Sequence, residues 1–370
     1  MAGREREKAA GGMSALTTIL RDKIAASGPL SIAEYMALAL GHPEHGYYIK
    51  QDPFGARGDF ITAPEISQIF GEMVGVWLVQ VWLQMGSGPV SLVELGPGRG
   101  TLMADILRAT KTMANFHDSI TIHMVETSPT LAHAQYMRLR DEHPRIEWLD
   151  TIDEIPPQKL LLVANEFFDA LPIRQYVMTP EGMRERRVDW DAAAQKLAFT
   201  LGEPGLMLAK SGSLIPPGTV MEQSPASRTL MRQLAQHIQT HGGAGLVIDY
   251  GYLGEAHSDT LQAMKSHLFH PVLNDPGDAD ITAHVDFTSL KGIAADAGNA
   301  VHGLATQGEF LIRMGAELRM EMLLRQATPD QRDALISGLQ RLISPQQMGE
   351  LFKVMAFTQD ARLDPPGFVG

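Results

Sequence analysis

Val93-Glu94-Leu95-Gly96-Pro97-Gly98-Arg99-Gly100-Thr101-Leu102 is the stretch that decides the fold. The apolar run Val90 to Leu95 reads as a buried strand, and Thr101 to Lys111 has the spacing of a helix. Three alternating glycines join them. Glycine adopts positive φ without steric cost and lets a ligand approach the backbone. The following helix offers unpaired N–H groups to an anion. A strand, a glycine turn and a helix in this order point to an α/β sheet with a ligand at its carboxyl edge. The plainer reading is a glycine turn that binds nothing.

The same rhythm continues on both sides. Ile66 to Met85 reads as a helix, Ile120 to Glu126 as a strand, and Ser128-Pro129 opens a helix to about Arg140. Short strands follow at Arg145–Leu149, Leu160–Ala164, Gly245–Asp249 and Leu351–Thr358. Strands alternating with helices predict a Rossmann-like α/β fold, a parallel sheet covered on both faces. Two regions interrupt it. Arg174 to Leu201 reads as antiparallel strands joined by Pro180-Glu181-Gly182, within a β insertion at about 174–220. Residues 254–342 read as a mostly helical, substrate-side region.

Ahead of the core, Leu16–Ala26 and Ser31–Leu40 read as amphipathic helices, with Ser31 and Glu34 forming a capping box. Residues 41–64 form a long loop with four aromatics (Tyr47, Tyr48, Phe54 and Phe60). The predicted organisation is a disordered tail (1–13), N-terminal helices with a cofactor-covering loop (14–65) and the core (66–253). The substrate-side region (254–342) and a final strand with its tail (343–370) complete it.

Composition narrows the function. Hydrophobic residues are 44% and charged residues 20% of 370, an ordinary globular balance. A net charge of -12 disfavours nonspecific binding to nucleic acid or anionic membrane. With no cysteine, thiolate zinc sites and cysteine nucleophiles are excluded. The uncharged stretch Met73–Val93 is interrupted by Gln80, Gln84 and Gly86-Ser87-Gly88-Pro89, so it falls short of the ~20 apolar residues of a membrane span. The first thirteen residues mix both charge signs without an apolar core, unlike a secretory leader. A bacterial cytoplasm is therefore the preferred location, with the mitochondrial matrix the alternative for a eukaryotic chain.

Spacing decides between ligands. A dinucleotide fingerprint is G-x-G-x-x-G with an acid about 20 residues on. Here the spacing is G-x-G-x-G, and Glu94 lies two residues before the first glycine. That suits S-adenosylmethionine, which has no pyrophosphate but presents an ammonium and a carboxylate. Glu94, Gly96, Pro97, Gly98 and Gly100 are the candidate cofactor residues. Glu126, ending the next strand, is placed to accept hydrogen bonds from two ribose hydroxyls; its plainer reading is a solvated strand end.

Asn165-Glu166-Phe167-Phe168-Asp169-Ala170-Leu171-Pro172 follows the fourth strand, presenting an amide, two carboxylates and two aromatics. Paired carboxylates grip a guanidinium and fix one nitrogen for in-line attack, which makes Glu166, Asp169 and Asn165 the candidate catalytic residues. The alternative is a helix start whose acids complement the dipole. Gly58, Asp59 and Phe60 are candidates for closing over the cofactor, while Thr62, Pro64 and Glu65 suit a helix start. His42/His45 and His267/His270 lack the H-E-x-x-H arrangement, so no metal site is expected.

Six stretches together resemble the MidA-like family, whose mitochondrial members are complex I assembly factors that methylate arginine. They are GDFITAPEISQIFGE at 58–72, VELGPGRGTL at 93–102, NEFFDALP at 165–172, GLVIDYGY at 245–252, DITAHVDFT at 280–288 and LFKVMAF at 351–357. The resemblance implies a class I methyltransferase fold using S-adenosylmethionine. It also implies symmetric dimethylation of an arginine in the large iron–sulfur-associated subunit of respiratory complex I. By position, Gly96, Gly98 and Gly100 would line the cofactor, Glu126 its ribose, and Glu166 the guanidinium. Three alternatives stand beside this reading: transfer to a small-molecule acceptor, a non-catalytic assembly chaperone on the same fold, and a nicotinamide oxidoreductase. The glycine spacing disfavours the last.

Overall fold

A computed structural model of the chain describes residues 13–50, 61–205, 215–254 and 258–369. They fall into two compact units, one holding the described residues of 1–51, 172–223 and 257–281, the other those of 52–171, 224–256 and 282–370. The predicted tail lies almost wholly outside the described residues.

The larger unit is built on one sheet. Its strands, numbered within that sheet, are β1 (Val90–Leu95), β2 (Ile120–Val125), β3 (Ile146–Leu149), β4 (Leu160–Asn165), β5 (Gly243–Tyr252), β6 (Ala300–Thr306) and β7 (Phe352–Thr358). They lie in the order β3-β2-β1-β4-β5-β7-β6, with the two-residue strand Val285–Asp286 on the end of β5. β1 to β5 pair in parallel, and β7 is antiparallel to both neighbours. The order reverses between β1 and β4, which opens a crevice at their carboxyl ends.

A strand's side chains alternate between faces, and the core divides accordingly. Leu161, Val163, Leu246 and Ile248 join one hydrophobic cluster, while Leu160, Leu162, Ala164 and Val247 join the other. On the first face pack α1 (Gln68–Gln84) and α2 (Thr101–Thr110). The latter buries Leu102, Met103, Ile106 and Leu107 at helical spacing. On the second face, α4 (Pro225–His241) buries Met231, Leu234, Ala235 and Ile238. Full burial of a Met, Leu or Ile side chain here is worth about 1.5–3 kcal/mol. α3 (Pro129–Leu139) follows β2, its N-cap Ser128 accepting from Leu131 N–H. No described helix is long and apolar enough to cross a membrane.

The predicted helix Ile66–Met85 is two elements. Ser67 takes an extended conformation and caps α1, which separates it from the turn Ala63–Ile66. The stretch 254–342 holds the helices Phe287–Asp296, Gln307–Arg313, Ala316–Leu324 and Pro329–Ile343. It also holds the short strands Gln262–Lys265, Leu268–His270 and Asp280–Thr282, together with Val285–Asp286 and β6.

The smaller unit has the predicted antiparallel insertion at its centre. Arg174–Thr179, Gly182–Asp191 and Lys196–Gly205 pair in series, and Val220–Gln223 pairs with the first. The two units cut across the predicted segment boundaries. Leu30–Ser31 pairs with Val188 and Arg187, drawing the helices Ala15–Ser27 and Ile32–Gly41 onto the insertion. The capping box of Ser31 and Glu34 is present. A buried Gln175 ties the unit together: its amide donates to Glu222 and Asp259 at 2.7 Å each and accepts from Arg186.

Candidate active site

The glycine turn leaves β1 at the switch point. Gly96, Gly98 and Gly100 all take positive φ, at 58°, 55° and 73°. Gly96 N–H donates to Val125 O on β2, and Gly100 N–H to Pro97 O, so the turn is pinned to the sheet and to itself. At Gly96 a Cβ would stand 2.7 Å from the Phe167 ring, so both conformation and space demand glycine there.

The turn forms one wall of a recess lined by Glu94, Gly96, Pro97, Gly98, Asn165 and Glu166, with Glu65 and Arg99 also on its surface. Glu94 is 3% exposed, and burial pushes its carboxyl up to about 8. Its Oε2 has no hydrogen-bond partner among the described residues. A buried carboxylate without a donor is costly unless a ligand supplies one. Arg99 approaches Glu65 at 3.7 Å.

Glu126 directly follows β2, one strand over. Its Oε1 accepts from Ser128 N–H at 2.8 Å and its Oε2 from Gln135 Nε2 at 3.1 Å. Gln135 also donates to Gly98 O and accepts from Trp148 Nε1–H. One amide thus ties the glycine turn, the Glu126 carboxylate and β3 together. Glu126 lies beyond the lining of the recess, and burial raises its carboxyl despite those donors.

Glu166 follows β4 with φ at 50°, a left-handed conformation that is rare outside glycine. Its Oε1 accepts from Ala63 N–H at 2.9 Å and from Asn165 Nδ2 at 3.3 Å. Burial, helped by the charges of Asp169 and Glu65, pushes Glu166 up to about 7 against these two donors. Asn165 Oδ1 has no partner among the described residues. No helix begins here; the chain passes through turns to Arg174. The acids therefore do not serve a helix dipole.

Asp169 does not line the recess beside Glu166. It is buried and accepts from Tyr250 Oη at 2.6 Å, because the turn carries it toward β5. Burial pushes its carboxyl up to about 6. Asp249 and Tyr250, on β5, were missing from the candidate residues. Asp249 Oδ2 accepts from the N–H groups of Phe167, Phe168 and Asp169, and its Oδ1 from Tyr250 N–H. Burial and the charges of Asp169 and Glu166 push it well above the usual range. The available signal was a carboxylate inside the apolar run Gly245–Tyr250. Gly58, Asp59 and Phe60 lie outside the described residues. Thr62 stands at the cap position of Ala63–Ile66 without a side-chain cap bond.

Comparison with known proteins places the chain among methyltransferases. A family model described as an S-adenosyl-L-methionine-dependent methyltransferase matches residues 73–305. A Xenopus laevis relative, mitochondrial protein arginine methyltransferase NDUFAF7, is 38% identical across 95% of this chain and 86% of its own length. The Drosophila melanogaster homologue of that mitochondrial protein is 40% identical across 94% and 86%. A Burkholderia thailandensis protein crystallised with S-adenosyl-homocysteine superposes with a TM-score of 0.81, at 28% identity, over 96% of this chain and 93% of that one. The cofactor is S-adenosylmethionine, as the spacing implied, and the nicotinamide alternative falls. The expected cytoplasmic location finds no support among relatives named as mitochondrial. The chain belongs to the family of S-adenosyl-L-methionine-dependent methyltransferases.

Proposed function

We propose that this chain methylates an arginine nitrogen of a protein, and that the acceptor is a subunit of respiratory complex I carrying a symmetrically dimethylated arginine as product. The observation that carries the reading is Glu166, a half-buried carboxylate held in a left-handed conformation beside the glycine turn. The relatives' names as protein arginine methyltransferases support the acceptor class.

The residues present fit the cofactor. Glu94 Oε2, buried and without a hydrogen-bond partner among the described residues, suits an ammonium, and the glycine turn lines the recess beside it. Glu126 would accept from the ribose hydroxyls in exchange for its present donors. When bound, S-adenosylmethionine supplies a methyl group already activated by its sulfonium. The protein's task is then alignment and electrostatics. Glu166 would hold one edge of the guanidinium and turn a nitrogen lone pair toward the recess. Near its raised pKa, its second carboxylate oxygen can take the proton that this nitrogen loses. Asn165 Oδ1 offers a second acceptor on the same wall.

The test is transfer from methyl-tritiated S-adenosylmethionine to complex I isolated from cells lacking this gene. Amino-acid analysis of the labelled subunit follows. Symmetric dimethylarginine is the expected product. Label on a small molecule, or tight cofactor binding with no label on any subunit, would contradict the reading.

A further inference from the structure

Asp249 contributes no atom to the recess, yet it holds the segment that does. β5 grips the turn after β4 in two ways. Its backbone continues the ladder by one residue, with Glu166 N–H donating to Ile248 O at 2.9 Å. Its side chain then takes over. Phe167, Phe168 and Asp169 aim three successive N–H groups at Asp249 Oδ2, at 3.1, 3.0 and 3.2 Å. The far end of the turn is tied as well, by Tyr250 Oη on the Asp169 carboxylate and by Ala283 N–H on Asp169 O.

Three convergent donors in a dry site need an acceptor that carries no donor of its own, and a carboxylate is the side chain that meets this. An amide at the same place would put its oxygen on the three N–H groups only by turning its NH2 toward Tyr250 N–H. The left-handed Glu166 persists because its surroundings over-determine it. From this arrangement we infer that Asp249 is a positioning residue for methyl transfer, fixing the turn that aims Glu166 into the recess. The inference rests on the reading of Glu166 as the acceptor's carboxylate.

Backbone amide exchange on the full chain with S-adenosyl-homocysteine bound tests it, together with methyl transfer to complex I from cells lacking the gene. In Asp249→Asn the amides of Phe167, Phe168 and Asp169 should exchange about 100-fold faster while those of Leu95 and Gly96 keep their protection, the sign of a local opening. Transfer should fall at least about tenfold with affinity for S-adenosyl-homocysteine within about twofold, a split that separates positioning from cofactor binding. Unchanged exchange at 167–169, or an equal rise throughout β4 and β5, overturns the inference. So does a wild-type rate. Glu166→Gln should leave the protection of 167–169 intact; full transfer by that variant would sink the Glu166 reading instead, so the two failures are distinct. If Asp249→Asn does not fold, Tyr250→Phe removes the hydroxyl grip and keeps the ring. Exchange at Asp169 should then rise about tenfold, and no change there overturns the inference.

Discussion

The carboxylate of Glu166 and the backbone nitrogen of Ala63 lie 2.9 Å apart, joining the turn after β4 to the short helical turn Ala63–Ile66. The bond leaves Glu166 half committed: Oε1 is engaged by Ala63 and Asn165. On the proposed reading an acceptor nitrogen would meet a group already oriented, and orientation is what in-line transfer requires.

Transfer should depend on pH through this group. Burial raises Glu166 to about 7, so it is protonated in acid and ionised above neutrality. The rate at saturating substrates is expected to rise with pH and level off above about 8, a pH unit past that midpoint. A pH–rate profile without an acid limb near neutrality would contradict the role.

Glu94 makes a stability prediction with a definite sign. Its folded pKa of about 8 lies above the ordinary 4.5, so the folded chain binds the proton more tightly than the unfolded one. The stability from this group is fully present below 4.5 and is lost as pH rises toward 8. Glu94→Gln should flatten that decline in thermal melts of the ligand-free protein and weaken S-adenosylmethionine binding about tenfold or more, the loss of one buried ionic contact. A decline of wild-type slope in the variant would refute the assignment.

Gly96→Ala should be the most damaging change in the turn. The new methyl group meets the Phe167 ring at 2.7 Å on a backbone at φ 58°, a conformation alanine rarely takes. A loss of about 1–3 kcal/mol in stability is expected, with cofactor binding undetectable by calorimetry.

Gln135→Met tests the link between the glycine turn and Glu126. It removes the donor to Gly98 O and Glu126 and strands the Trp148 N–H. S-adenosyl-homocysteine affinity should fall about tenfold, equivalent to one or two hydrogen bonds. Wild-type affinity would show that Glu126 needs no such support.

The parts of the molecule legible in the sequence are those whose chemistry is local. The strand, glycine turn and helix around Glu94–Thr101 sit within a few residues of one another. The capping box of Ser31 and Glu34 is likewise a matter of spacing. Glu126 and Glu166 announced themselves as acids ending apolar strands. The grip of Asp249 on Phe167–Asp169 spans some eighty residues, and nothing in either segment names the other. The same separation hid the turn of Asp169 toward Tyr250. β6 escaped because Ala300–Thr306 is an edge strand of mixed polarity, bulged between His302 and Ala305. The N-terminal helices look like a segment of their own in the sequence because Leu30–Ser31, the strand between them, pairs with Val188 and Arg187, nearly 160 residues away.

The central claim is that Glu166 serves the acceptor and not the cofactor. It is tested most directly by measuring Glu166→Gln twice: calorimetric affinity for S-adenosyl-homocysteine, and the rate of tritiated methyl transfer to complex I from cells lacking the gene. The account predicts affinity within about threefold of wild type and a rate reduced by about 100-fold or more. An equal loss of both, or an unchanged rate, would contradict it.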